Sequence, residues 1–243
     1  MATRQFFRRT LLFLTLIALP ITLNYYSVYL IIQSASEGVA NFSFFFWIAF
    51  AVTSLLFGRA ACGYICPLGA IQETKDRMVE KKLVRVRYLK LIKYALAVLW
   101  VGTIVWAAIY AGGYKRVDLL YYTEGGVSVS SAQNLFMYYT VLLVALLPAF
   151  FLGKRAFCHY FCPWGVLNLL STRLGRWLHL PMLHLRADPS ACKSCKRCDR
   201  ECPMSLPVNE MVQRRDMRND ECILCGSCVD NCPQKAIRYG WKR

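Results

Sequence analysis

The sequence predicts a mainly α-helical membrane protein with four transmembrane helices and a small C-terminal α+β domain. Hydrophobic residues make up 56% of the chain, yet it also carries 30 Lys and Arg residues. A chain that is both strongly apolar and strongly basic is typical of a membrane protein with cationic segments in water. The 12 cysteines gather in short, regularly spaced runs. We expect residues 1–187 to form the membrane domain and residues 188–243 to form the C-terminal domain.

Four apolar runs are candidates for membrane spans. They cover residues 11–32, 41–57, 94–111 and 135–152. Each approaches the ~20 residues that a helix needs to cross the hydrocarbon core. The pair Arg8-Arg9 before the first run also fits a twin-arginine signal, but the run is too long for a signal peptide and lacks a small-residue cleavage site. We therefore expect an uncleaved first span, kinked at Pro20.

Positive charge is distributed unevenly between the two sides that these spans define. The N-terminal tip has three Lys or Arg residues, the segment 58–93 has nine and everything after residue 152 has sixteen, whereas the loops 33–40 and 112–134 have none and two. The side richer in Lys and Arg faces the cytoplasm. The sequence thus predicts a multi-pass protein of the cytoplasmic (inner) membrane with both termini in the cytoplasm. Topology and attraction to anionic lipid account for the net charge of +16, so no nucleic-acid partner is expected.

An internal repeat follows the second and the fourth apolar run. The pattern C-x3-C-P-x-G occurs at Cys62 and Cys66 and again at Cys158 and Cys162. Two helix pairs inserted in the same orientation are related by an axis along the membrane normal. We therefore expect the two motifs to meet at the cytoplasmic surface, each followed by an amphipathic helix in the headgroup zone.

Two further cysteine runs, near the C-terminus, share the spacing C-x2-C-x2-C-x3-C-P. In bacterial-type ferredoxins this spacing holds iron–sulfur clusters, and the fourth cysteine of each run ligates the cluster of the other run. Zinc sites favour pairs of cysteines, and a disulfide framework does not suit a reducing compartment. The sequence predicts a domain with two [4Fe–4S] clusters, and the ferredoxin analogy assigns one to Cys192, Cys195, Cys198 and Cys232 and the other to Cys222, Cys225, Cys228 and Cys202.

The four cysteines of the C-x3-C-P motifs allow three interpretations. Four converging thiolates can hold a third cluster or a tetrahedral metal. They can also act as redox-active dithiols, or they can be inert packing cysteines, which are common among buried cysteines. The repetition of the motif argues against inert cysteines, whereas the choice between a third cluster and dithiol chemistry stays open.

Together, the four spans, the two C-x3-C-P motifs and the paired cysteine runs resemble the NapH/NosR group of membrane iron–sulfur proteins. The resemblance extends from Arg8 to Cys232. It implies a quinol dehydrogenase subunit that passes electrons between the quinone pool and other redox subunits, of ferredoxin or reductase type. NosR-like members carry an extracytoplasmic flavin domain, for which the loop 112–134 leaves no room, so the chain is closer to NapH. Oxidase-assembly proteins share the same core, which keeps a maturation or electron-donor role for a metalloenzyme as the alternative.

A quinone site is expected beside the C-x3-C-P motifs. The chain has no C-x-x-C-H motif for c-type haem, and none of its histidines falls within an apolar run, so the clusters are the expected redox centres. Interfacial tyrosines and arginines also serve as membrane anchors. With that structural alternative for each, the residues expected to bind the quinone oxygens are His159, Tyr64, Tyr160, Arg59 and Arg155.

Overall fold

The computed structural model describes residues 3–79 and 81–242 and is mainly helical, as the sequence predicts. In chain order the helices of this described part are α1 (Thr3–Ile17), α2 (Leu19–Thr22), α3 (Val28–Ser36), α4 (Phe42–Phe57), α5 (Ala60–Tyr64), α6 (Pro67–Met78), α7 (Leu89–Tyr110), α8 (Ala132–Leu152), α9 (Ala156–Tyr160), α10 (Pro163–Trp177), α11 (Arg197–Arg200), α12 (Val208–Gln213) and α13 (Ser227–Asp230). Short 3-10 turns occupy Leu23–Tyr26 and Pro189–Ala191.

Two small sheets accompany the helices. Strand β1 (Val39–Asn41) pairs in parallel with β2 (Arg116–Asp118) on the side of the loops that are poor in Lys and Arg. Strand β3 (Met182–Ala187) pairs antiparallel with β4 (Ile237–Lys242), so the segment after α10 joins the last residues of the described chain. The β3–β4 ribbon borders the core of the C-terminal domain, which contains Met204, Val212 and Ile223.

Two helices of the described residues are long and apolar enough to cross a membrane by themselves. They are α7, with 22 residues, and α8, with 21, and they correspond to the third and fourth predicted spans. Their outward faces are apolar and exposed, with Val98 72% and Phe136 71% accessible, as lipid contact requires.

The first two predicted spans take different forms. The first run is divided among α1, α2 and α3. The helix axis bends by 59° between α1 and the segment Leu19–Tyr26. Pro20 lies in the first turn of α2, where proline is compatible with a helix start and interrupts a longer helix. The second run is α4, an apolar helix of only 16 residues. The number of four spans therefore stays a prediction.

The internal repeat has the same local construction in both copies. Helices α4 and α8 end at Gly58 and Gly153, which have φ of 55° and 97°, values that glycine adopts without strain. A short helix with the first cysteine follows, and Pro67 or Pro163 then begins the amphipathic helix, where its missing N–H costs nothing.

The amphipathic helix of each copy packs against the long apolar helix of the other copy, and we call this the exchange of partners. Helix α10, from the second copy, packs against α4 of the first, and α6, from the first copy, packs against α8 of the second. The approach of α10 to α4 is close, since a Cβ added at Gly175 would lie 2.5 Å from the carbonyl oxygen of Leu55. This exchange brings the two C-x3-C-P segments to the same place.

Replacing Gly175 with Ala should destabilise the protein, because the new methyl group overlaps the α4 backbone at a cost of about 1–3 kcal/mol. The control is Gly102→Ala in α7, where an added Cβ has nothing within 4 Å. It should be neutral or stabilising, because Ala is favoured over Gly in a helix by about 0.5–1 kcal/mol. Thermal unfolding of both variants in detergent, followed by circular dichroism, measures the difference. Equal melting temperatures would contradict the close packing of α10 on α4.

Candidate metal centre

Four cysteines surround a cavity near the surface of the C-terminal domain, and we call them the outer set. The left-handed backbone of Ser194 and Lys196, with φ of 51° and 55°, lets the loop wrap around this cavity. Cys195 is exposed and the other three are half-buried. The outer set consists of Cys192, Cys195, Cys198 and Cys232, the group that the ferredoxin analogy places together.

A second group of four, the inner set, lines an apolar cavity deeper in the same domain. Left-handed conformations at Leu224 and Gly226, with φ of 48° and 77°, turn the loop around it. Burial is the main cause that raises the pKa of the Cys202 thiol to about 12. Such a thiol would lose its proton when a metal binds, because the thiolate is the ligand and metal binding releases protons. The inner set consists of Cys202, Cys222, Cys225 and Cys228.

The four cysteines of the C-x3-C-P motifs form a third group, the proximal set, Cys62, Cys66, Cys158 and Cys162. Burial, and then the charges of Cys62 and Cys158, raise the pKa of the Cys66 thiol to about 12. Burial also raises the pKa of Cys162 well above its ordinary value, and the other three cysteines add to the effect. The two motifs lie together, since Arg155 beside the second motif donates to the carbonyl oxygen of Cys62 in the first at 3.1 Å.

Two buried amides bridge the copies of the repeat at the proximal set. The Gln72 side chain on α6 donates from Nε2 to Cys158 Sγ at 3.3 Å. The Asn168 side chain on α10 donates from Nδ2 to Cys62 Sγ at 3.4 Å. These amides occupy the same position after the second cysteine of their own motif, and each reaches the first cysteine of the other. The equivalent positions of Gln72 and Asn168 are visible in the repeated sequence, but the cysteine motifs alone did not point to them.

The orientation of both amides is held by further contacts. Gln72 Oε1 accepts from the backbone N–H of Phe157 at 3.1 Å, and Asn168 Oδ1 accepts from the Ser54 hydroxyl at 3.0 Å. Because their oxygens are engaged, the amide N–H groups face the sulfurs. Such N–H···S contacts stabilise thiolate over thiol.

Two buried arginines flank the proximal set in the same reciprocal way. A Cβ added at Gly69 would lie 2.9 Å from Arg155 Nη1, and one added at Gly165 would lie 3.1 Å from Arg59 Nη2. The final glycine of each C-x3-C-P-x-G motif thus leaves room for the arginine of the other copy. Arg155 also donates from Nη1 to the carbonyl oxygen of Cys62 at 3.1 Å. Both guanidinium groups are 3% or less exposed, so their charges act on the cysteines at low dielectric.

Two carboxylates balance these buried cations. Glu73 binds Arg155 at 2.8 Å and also pairs with Arg8 of α1. Burial by itself would raise the pKa of Glu73, but Arg155 and Arg8 lower it to about 2. The proximal set is therefore supported by a buried ion network that reaches the N-terminal helix.

The second carboxylate, Glu221, immediately precedes Cys222 of the inner set. It pairs with Arg59 at 2.9 Å and with Lys93 of α7. Burial opposes its charge, but Arg59 and Lys93 lower the pKa of Glu221 to about 2. This network joins the C-terminal domain to α7 and to the first C-x3-C-P motif.

The five residues expected to bind quinone make different contacts in the structure. Arg59 and Arg155 take part in the ion networks, and Tyr64 lies near Tyr239, whose hydroxyl donates to the carbonyl oxygen of Leu224 at 2.6 Å. Their assignment as quinone ligands stays a prediction.

Two of the five, Tyr160 and His159, contact backbone carbonyl oxygens within the protein. The Tyr160 hydroxyl donates to the carbonyl oxygen of Val84 at 2.7 Å. The His159 Nε2 lies 3.1 Å from the carbonyl oxygen of Met204. Burial is the main cause that lowers the pKa of His159 to about 4, so the ring is neutral at physiological pH.

The donor geometry suits a polynuclear group better than one ion. Within residues 3–79 and 81–242, no three His, Cys, Asp or Glu side chains lie close enough together to hold a single metal ion. Cysteine thiolates at the corners of a cubane are spread more widely than the ligands of one zinc ion. The outer and inner cysteines each line a cavity of the C-terminal domain, so the four thiols of each set face a common space.

Comparison with known families agrees with this arrangement. A family model described as a 4Fe-4S binding domain matches residues 39–85 and again residues 134–181, and each match contains one C-x3-C-P motif. A second model, described as a 4Fe-4S dicluster domain, matches residues 191–237. The chain therefore contains 4Fe-4S binding domains in both its membrane half and its C-terminal domain.

Several curated proteins are similar over most of this chain. An uncharacterised protein of Methanocaldococcus jannaschii is 26% identical, covering 80% of this chain and 77% of its own length. The putative electron transport protein YccM of Escherichia coli is 25% identical, covering 76% of this chain and 52% of YccM. The ferredoxin-type protein NapH of Haemophilus influenzae is 21% identical, covering 76% of this chain and 63% of NapH.

Proteins named NosR, NirI and MauN match as well. The chain spans about half the length of YccM and less than two thirds of NapH. No solved structure matches it. The resemblance to the NapH/NosR group is confirmed, since the relatives include NosR and the ferredoxin-type proteins NapH and MauN.

Replacing Glu73 with Gln should destabilise the protein by about 3–5 kcal/mol, because Arg8 and Arg155 would stay buried without their counter-charge. The control is Glu210→Gln, which removes a carboxylate that is 52% exposed and pairs with Arg214; exposed pairs contribute about 0–1 kcal/mol. Denaturant unfolding measures both. Acid titration gives a second readout. Because the pKa of Glu73 is lowered in the folded protein, its charge stabilises the fold at pH values above 4.5, and this stabilisation is lost as the pH falls from 4.5 towards 2. A Glu73→Gln variant as stable as the control would refute this.

Proposed function

We propose that this protein is a membrane-bound iron–sulfur electron-transfer subunit. It exchanges electrons between the quinone pool and a redox partner of an anaerobic-type respiratory chain, as a quinol dehydrogenase subunit does. One observation carries the proposal: the twelve cysteines fall into three sets of four, and the inner set lies beside both the proximal set and the exposed outer set. A bound cluster supplies reversible one-electron transfer.

Contacts between the sets support a continuous relay. A Cβ added at Gly63, next to Cys62 of the proximal set, would lie 3.6 Å from the Cβ of Cys225 in the inner set. Cys198 of the outer set lies on α11 and Cys228 of the inner set on α13, and these two helices pack together. Each set is thus a direct neighbour of the next.

The ligands we propose are those of the ferredoxin analogy for the two clusters of the C-terminal domain. For the proximal set we propose a third [4Fe–4S] cluster in preference to dithiol chemistry. Two features support it: the N–H···S contacts of Gln72 and Asn168, and the buried charges of Arg59 and Arg155. The amide contacts favour the thiolates of Cys62 and Cys158, and both features would offset the negative charge of a cluster.

The location follows from the apolar helices. Helices α7 and α8 and the relation to NapH support a membrane protein. We propose that it lies in the cytoplasmic membrane with both termini in the cytoplasm, since the segments rich in Lys and Arg flank the cysteine sets.

The exposed end of the relay indicates the charge of its partner. Cys195 is exposed, and Lys193, Lys196 and Arg197 line the same cavity and are exposed. A ring of cations around an exposed redox site attracts an acidic protein and orients it. We therefore propose an acidic redox subunit or carrier as the partner on this face.

Fully loaded protein should contain about twelve iron atoms and as much acid-labile sulfide per chain, because three cubanes each hold about four of both. The double variant Cys62→Ser/Cys158→Ser should fall to about eight. Tyr64→Phe, on the same short helix as Cys62, serves as the control and should keep the full content. Iron and sulfide assays measure this, and a wild-type content of about eight would rule out the third cluster.

Reduced protein in liposomes should be reoxidised by a soluble ubiquinone or menaquinone analogue, because the relay begins at the membrane edge. Cluster absorbance, followed after the quinone is added, measures the reaction. The Cys62→Ser/Cys158→Ser variant should react more slowly, since its two remaining clusters lie farther from the bilayer. If no quinone of either class changes the cluster absorbance, the quinone role is wrong.

A further inference from the structure

A cavity of about 330 Å³ lies where α10, the end of α4 and the C-terminal domain meet. Gly58 and Thr172 line its membrane side, and Leu183 and Met217 line its other walls. Cys222 of the inner set is also part of the lining. The cavity is large enough for a small aromatic ring system, since ligand pockets in proteins begin at about 300 Å³.

The lining combines apolar walls with a few polar groups. Leu180, Leu183 and Met217 provide apolar surface, and the side chains of Arg59, Arg176 and His184 provide hydrogen-bonding groups. This is the composition of a site for an apolar ring that carries a few oxygen atoms. A phosphate site would instead need several cations without opposing charge, whereas Asp220 in this lining already pairs with Arg176 at 2.9 Å.

The two arginines of the cavity lining, Arg59 and Arg176, differ in how far they are buried. Arg59 is 3% exposed, and its Nη1 donates to the carbonyl oxygen of Asp220 and to Glu221. Its Nε has no hydrogen-bond partner within the part of the chain that the structure describes. This Nε is out of reach of a probe the size of water, so the donor that a ligand in the cavity can reach is the guanidinium of Arg176, which is 36% exposed.

The surroundings of the cavity include exposed apolar side chains. Trp177 and Leu178, which precede the lining residue His179, are 74% and 49% exposed. Trp241 pairs with Leu183 across β3 and β4 and is 54% exposed. Its ring contacts Phe57, the last residue of the apolar helix α4, at 5.8 Å. Exposed tryptophans at the end of an apolar helix are typical of the membrane interface.

We propose that this cavity binds the headgroup of a membrane quinone. The ring lies between the leucines and Met217, an oxygen accepts from the Arg176 side chain, and the isoprenoid tail leaves over Trp177 and Trp241 towards the lipid. The inference rests on the proposed function, because it names the place where that function meets the quinone pool. It moves the site from the hydrogen-bonded His159 and Tyr160 to a cavity that adjoins Cys222.

The test uses full-length, cluster-loaded protein in lipid nanodiscs and an azido-substituted ubiquinone as photoactivatable probe. After illumination and proteolysis, mass spectrometry locates the label. We expect it within residues 172–185 and 217–224, and we expect unlabelled ubiquinone to compete with it. This readout does not depend on electron transfer.

A matched pair of variants adds an affinity measurement. Thr172→Phe adds bulk inside the cavity, and Leu174→Phe adds it on the exposed side of the same helix, where Leu174 is 47% accessible. Quinone affinity, measured by quenching of tryptophan fluorescence, should weaken about tenfold or more in Thr172→Phe, since a filled pocket cannot admit the ring. Leu174→Phe should bind as the wild type does. Iron content equal to that of the wild type shows that both variants are folded.

The outcomes separate this inference from the function on which it rests. Competed label in the two expected segments, together with weakened binding by Thr172→Phe alone, supports the cavity. Label elsewhere, or label that unlabelled ubiquinone does not displace, overturns the cavity. If quinone still changes the cluster absorbance in that case, the proposed function survives. If quinone neither labels the protein nor changes the absorbance, both are wrong.

Discussion

The exchange of partners between the two repeated units is the constraint on which the structure depends. Helix α6 packs on the span of the second unit and α10 on the span of the first. Each motif glycine admits the arginine of the other unit. Neither unit could make these contacts alone, because Arg59 and Arg155 each lie against the motif glycine of the other unit. The carboxylate that pairs with each arginine also lies outside its own unit. The two cysteine pairs of the proximal set are almost a hundred residues apart in the chain, and this packing holds them as one group.

The buried charges extend this constraint to the rest of the chain. Arg8 brings α1 onto Glu73 and also donates to the carbonyl oxygen of Gly63 at 3.1 Å. Gln5, one turn earlier, donates to the carbonyl oxygen of Cys225 at 2.9 Å. Glu221 joins the inner set to α7 through Lys93. Since a buried ion with no partner is strongly unfavourable, these contacts fix the C-terminal domain against the membrane half and keep its inner cysteines beside the proximal ones.

Local spacing accounts for what could be predicted about the cysteines. Loops that place a cysteine at every third position bring three thiols together whatever surrounds them, so the outer and inner groups were predictable. The C-x3-C-P repeat likewise predicted that its cysteines meet, because equivalent units pack by equivalent surfaces. Residues such as Gln72 and Glu73 were not recognised, since a single polar residue on an amphipathic helix resembles a solvated one until the helix opposite is known.

The sequence by itself determined the helical class, the apolar helices α7 and α8 and the grouping of twelve cysteines, because hydrophobicity and spacing act locally. Only the tertiary structure decided which polar groups remain available. Tyr160 and His159, two candidate quinone ligands, contact the carbonyl oxygens of Val84 and Met204, which are distant in the chain. It also decided that the first apolar run bends by 59° and that a cavity opens beside Cys222. Such features depend on which surfaces come into contact, and a sequence pattern does not contain that information.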